Sequence, residues 1–232
     1  GVIEDFQLLF YIIQPPTPER VKYDIFDRVN RGGTPLNKQE MRNALYRGRC
    51  TRMLDKLCCS PEFLIATGRS INKERMKDQY VVLRAMAFLM LHRGEFKDIP
   101  ALQYRGDIDD FLARFMVYVN DNAPEKLIVD YENLFIRCMQ ISYDLLGENG
   151  FRFSGNGIRR PINMPLFEAL SYLFSFVPEK IDYTWASRLI LDIESVKEEF
   201  DDSRYFSGNI DSTTSVSFRF DRMDKIINRI QL

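Results

Sequence analysis

The chain has 232 residues, 45% of them hydrophobic and 28% charged, and its 32 Lys and Arg against 33 Asp and Glu leave a formal net charge of -1. That length buries a sizeable core in one domain, or in one domain with a small appendage, and the composition is globular rather than disordered. The longest greasy stretch, Tyr80 to Leu91, is interrupted by Arg84, so nothing reads as a membrane span; no signal-peptide pattern opens the chain, and four cysteines without a Cys-x-x-Cys spacing fit a reducing cytoplasm.

In chain order, Phe6 to Ile13 is short, aromatic and β-branched, and Pro15-Pro16 stops it, which predicts a buried strand. No second convincing strand follows, so its edge needs a partner from elsewhere. Thr17 caps the next element, Pro18 takes its first helical position, and Val21, Ile25, Phe26 and Val29 fall on one face. Gly32-Gly33 ends that helix, and Leu36-Asn37 starts another that runs to about Gly48. From Arg20 to Arg52 there are nine basic residues against Asp24, Asp27 and Glu40, a local net of +6. Such charge beside a glycine turn and a fresh helix N-terminus suits phosphate, because free N–H groups and the helix dipole favour anions there. A merely solvated helix pair carries the same pattern.

Helical period continues from Thr51 to Cys59, and Ser60-Pro61 opens a further short helix. Asn72 to His92 is the strongest helix, with Met76, Tyr80, Leu83, Ala87, Met90 and Leu91 spaced for burial. Its Arg75, Asp78 and Arg84 lie near one face, which favours internal ion pairs over a ligand site. Helices are predicted at Ile108 to Asn120, Pro124 to Leu146, Pro165 to Phe176, Asp182 to Phe200 and Ser215 to Ile230. The glycine-rich connector from Gly147 to Arg160 carries Arg152, Phe153, Arg159 and Arg160, a mixture suited to nucleic-acid backbones and bases, or to an ordered loop packed on the bundle. Asp182 to Asp202 holds seven acidic residues against Arg188 and Lys197 and would repel DNA, so a nucleic-acid surface is one-sided.

The run Phe26-x-Arg28-x-Asn30-x-Gly32-Gly33-x-x-Leu36-x-x-x-Glu40-x-Arg42-x-Ala44 resembles the signature in the second half of the GmrSD-type restriction endonuclease N-terminal domain family, whose fold is ParB/sulfiredoxin-like. Arg75 to Phe88 resembles the helix that follows this motif in longer members, whereas the family's Asp-Gly-Gln-Gln-Arg loop is absent. The resemblance implies a mainly α fold: a multi-helix bundle with a short N-terminal β-strand left from a ParB/sulfiredoxin-like α+β domain. Residues 1–48 would be the C-terminal piece of that domain and 49–232 the helical bundle. It also implies phage defence or restriction, DNA as a partner, a missing N-terminal half or a separate chain supplying it, and a homo-oligomer.

In ParB-like sites a Glu-Asn-x-x-Arg motif supplies magnesium and triphosphate ligands. Asn30 matches the asparagine and Glu40 the glutamate of the following helix, but Val29 replaces the carboxylate that magnesium prefers. The resemblance thus assigns nucleotide or phosphate contacts to Arg28, Asn30, Arg31, Gly32, Gly33, Glu40 and Arg42, with nucleoside triphosphate and magnesium in the full-length protein. Arg47, Arg49, Arg152, Arg159 and Arg160 are the expected DNA contacts. The single histidine, His92, is expected at a helix C-terminus or the surface, and one histidine builds neither an HNH nuclease centre nor a tetrahedral zinc site with these cysteines. A stand-alone helical module binding DNA or protein is the alternative reading. An independent enzyme built on carboxylates such as Asp27 or Glu40 ranks last, since no nucleophile–base constellation is visible.

Overall fold

The structure, a computed structural model, describes residues 35–155, 158–180 and 182–230, together with Ile12, Val21, Asp24, Ile25, Phe26 and Arg28. The expected strand at Phe6 to Ile13, apart from the exposed Ile12, and the Gly32-Gly33 turn lie outside the described residues. Among the described residues the fold is mainly helical and has no strand; Val21, Asp24 to Phe26 and Arg28 are helical.

The helices with defined ends are α1 (Lys38–Leu45), α2 (Arg49–Cys58), α3 (Pro61–Ala66), α4 (Lys77–His92), α5 (Ile108–Asp121), α6 (Glu125–Leu146), α7 (Met164–Phe174), α8 (Tyr183–Asp201) and α9 (Thr213–Ile230). Their starts follow sequence chemistry. Ser60, Asp107, Asn163 and Asp182 each accept a backbone N–H of the helix they open, and Pro61 and Pro165 sit in first turns where a missing N–H costs nothing.

α4 and α7 form the centre. From Val81 to Met90 every residue of α4 is buried, and so is every residue of α7 from Pro165 to Phe174. A helix apolar on all sides has no water-facing stripe and must be surrounded. α4 packs on α7, α2 and α5; α7 packs on α9 and α6; α3 lies on α6, and α8 covers α9 and α6. Phe63, Phe135, Phe151 and Phe167 knit α3, α6, α7 and the connector through ring contacts of 4.3–6.3 Å.

Three charged side chains penetrate this core. Glu168 of α7 receives Arg84 of α4 on one oxygen and, at 2.9 Å, Arg219 of α9 on the other; all three are at most 1% exposed. Arg84 also reaches Asp211 at 2.6 Å and the Tyr80 hydroxyl at 3.1 Å, and Arg219 donates to the Ile210 carbonyl at 2.5 Å. Burial opposes the charge on Arg84, but Glu168 and Asp211 outweigh it and hold its pKa well above the usual value. For Arg219 burial wins and its pKa falls. No helix among the described residues is long and apolar enough to cross a membrane.

Candidate functional site

The described end of the resembling motif, Leu36 to Ala44, meets the start of the Arg75 to Phe88 stretch in space. Asn37 caps α1 by accepting from the Gln39 and Glu40 N–H groups at 2.8 and 2.9 Å, while Glu40 accepts the Asn37 N–H at 2.6 Å. This reciprocal capping box fixes where the helix begins. The Asn37 side-chain amide donates to the Arg75 carbonyl at 2.7 Å, and the Arg75 guanidinium returns to Glu40 at 3.0 Å and to the Pro35 carbonyl at 2.6 Å. Arg75 and this backbone N–H hold the Glu40 carboxyl below its ordinary pKa.

Arg75 and Met76 have φ of +57° and +58°, the left-handed region, which costs L-residues roughly 1–2 kcal/mol each. The chain therefore turns sharply at a 3₁₀ turn, Glu74–Met76, and α4 begins at Lys77 rather than at Asn72 as its periodicity predicts. Arg75, expected on the helix face, stands before the helix instead. Met76, the residue preceding α4, provides no side-chain cap.

Around this junction lies an open pocket of about 520 Å³ lined by Lys38, Arg42, Arg75, Lys77 and Tyr80, with Asn37, Asn72 and Glu74 beside them. Arg42 is fully buried: its guanidinium binds Gln39 Oε1 at 3.0–3.1 Å and Asp109 at 2.8 Å, and lies 5.3 Å from the centre of the Tyr80 ring. Asp109 also receives Lys38, and although burial raises its pKa, the hydrogen bonds from Lys38 and Arg42 bring it below normal. The pocket thus has a fixed cationic wall, Arg42, and cationic side chains at its mouth, with Lys38 67% and Arg75 54% exposed.

Of the residues expected to hold phosphate, Arg42 lines this pocket and Glu40 braces Arg75 at its edge. Arg28 is exposed on its helix, and Asn30, Arg31, Gly32 and Gly33 lie outside the described residues. Lys38 and Lys77 were not singled out by sequence reasoning. The Asn37–Glu40 capping box was the available signal for the first, while a left-handed turn at Arg75 and Met76 leaves no such mark.

The expected DNA contacts divide differently. Arg47 is exposed, while Arg49 donates to the Ala123 carbonyl at 3.0 Å and pairs with Glu125 at 3.0 Å. Arg152 is buried and spends its donors on the carbonyls of Glu148, Arg160 and Thr67 and on Ser70. Arg159 pairs with Glu148 at 2.7 Å, and Arg160 with Asp201 while lying 5.4 Å from the centre of the Phe153 ring. The described residues of the arginine connector pack on the bundle. The acidic face of α8 is partly neutralised as well, with Asp192 on Arg229 at 3.0 Å and Glu199 on Arg222.

His92 is the last residue of α4, at a helix C-terminus as expected, but its ring packs inward rather than standing at the surface. Its ring stacks on Phe220 at 3.5 Å and 10°, and its Nε2 is buried without a hydrogen-bond partner. Burial, with Arg219 adding to it, pushes its pKa down to about 3. Burial likewise raises the thiols of Cys50, Cys58 and Cys138, the last to about 12, so none of the three is a ready nucleophile. No group of three or more His, Cys, Asp or Glu among the described residues is arranged to hold a metal. Comparison with protein-family models, with curated proteins and with solved structures gives no match to this chain.

Proposed function

We propose that this chain is the helical portion of a GmrSD-like, ParB-related restriction or phage-defence protein, and that its pocket between α1 and the start of α4 takes phosphate from a nucleotide or a DNA backbone. One observation carries the reading: Lys38 and Arg42 of α1 and Arg75 and Lys77 at the start of α4 converge on a single polar pocket. Guanidinium and ammonium groups gathered at one pocket supply the donors and the positive charge that phosphate oxygens take. The role assigned to these residues is binding, in nucleotide-responsive DNA engagement or assembly, and no bond-breaking step is placed on them.

The experiment is a fluorescence-anisotropy titration of a 20-base-pair duplex from 50 to 200 mM salt, with a magnesium-free nucleoside triphosphate as competitor. Affinity should fall steeply with salt, and Lys38→Gln combined with Lys77→Gln should weaken binding about 10-fold and reduce the salt slope by about 2. The same pair should weaken competition by the triphosphate. Binding that ignores salt, or a doubly substituted protein that binds both ligands unchanged, removes the proposal.

A further inference from the structure

A second concavity, of about 890 Å³, lies along the outer face of α5. Ala113, Val117 and Tyr118 stand at i, i+4 and i+5 on that helix, half-buried, and together with Ile99 and Leu102 they make an apolar floor. Its rim has the opposite character. Asp24, Asp107, Asp109 and Asp110 line it against one described cation, Arg114. Asp109 is matched from behind by Lys38 and Arg42, and Asp110 pairs with Arg114 at 2.7 Å. Asp107 accepts only the α5 N–H groups of Asp109 and Asp110, and among the described residues no cation pairs with it or with Asp24. An apolar floor under uncompensated carboxylates defines the chemistry of what fits.

We infer that this cleft docks a cationic amphipathic helix of a partner protein, its leucine-type face on Ile99, Leu102 and Val117 and its lysines or arginines toward Asp24 and Asp107. Charge complementarity selects this occupant. Nucleic acid is repelled by the rim, a polyamine leaves the floor unused, and the carboxylates are not gathered as a metal site. The volume is near the top of the range for small-molecule pockets and suits several side chains of a helix laid in a groove. The inference is independent of phosphate binding at the other pocket.

The test uses the full chain and a fluorescently labelled 14-residue peptide of leucine and lysine in amphipathic helical order, followed by anisotropy. Binding should be saturable and weaken several-fold from 50 to 200 mM salt. Ala113→Lys with Val117→Lys, which puts two cations on the floor, should weaken it at least about 20-fold, and Asp24→Asn about 3-fold. Asp24 is exposed, so its substitution reports even if the double variant misfolds by circular dichroism. Three results overturn the inference: equal binding of a leucine-free lysine peptide, binding indifferent to these substitutions, or self-association of the chain that the double variant abolishes, which would give the cleft to a second copy.

Discussion

His92 lies flat on Phe220 with no partner for its buried Nε2, close enough to Arg219 to feel its charge. Protonation would bring a second cation against a buried guanidinium, so the folded state keeps the ring neutral. Because the folded pKa of about 3 lies below the unfolded value near 6.5, the unfolded chain binds the proton first. The stability this confers is complete above about pH 6.5 and is lost as pH falls toward 3. Urea unfolding at pH 7, 6 and 5 should therefore show a loss of about 2 kcal/mol over those two units, and His92→Phe, which keeps the aromatic stack, should abolish that loss. As the only histidine, His92 has no titrating sibling to confuse the comparison. Nothing in its local sequence distinguished this position from a surface one: the rings that enclose it, Phe88, Tyr172 and Phe220, come from α4, α7 and α9.

At the scale of elements, the meeting of α1 with the start of α4 is the device that makes the pocket proposed to take phosphate. Asn37 serves both helices, accepting two N–H groups of α1 and donating to Arg75 immediately before α4. Asn37→Ala removes the cap and this tether together. Urea titration should record a loss of about 1–2 kcal/mol, the upper end of what a lost cap costs. The same substitution should weaken duplex binding although Asn37 carries no charge, since Lys38 and Lys77 are placed by that junction. Helix identities around it were legible in the sequence because apolar spacing and caps are local properties. The start of α4 was not. The apolar spacing of Met76, Tyr80 and Leu83 extends the helix toward Asn72, and only the docking of Arg75 on Pro35 and Glu40 accounts for a left-handed turn there.

Across the whole molecule, Glu168 joins three helices through two arginines, and Asp211 completes a set of two cations and two anions. Charges taken out of water are tolerated when each has its partner, and removing one partner leaves the others exposed to the full cost of burial. Glu168→Gln should lower the unfolding free energy by about 3–5 kcal/mol in urea titration, whereas Glu198→Gln on the exposed face of α8 should change it by less than about 0.5 kcal/mol. The sequence reading already favoured an internal ion pair for Arg84. Its partners lie 84 and 127 residues away, and no spacing rule reaches that far.

By itself the sequence determined the helical class, nearly all helix positions and the basic character of the Arg20 to Arg52 region, since periodicity, capping and charge are written in neighbouring residues. Tertiary structure decided where each cation ends up. Arg42 and Arg152 are drawn inward because the backbone and side-chain acceptors that satisfy them converge from distant segments, while Lys38 and Lys77 stay at a pocket mouth. The fate of a charge depends on what the fold brings to it, and that information is spread over the whole chain.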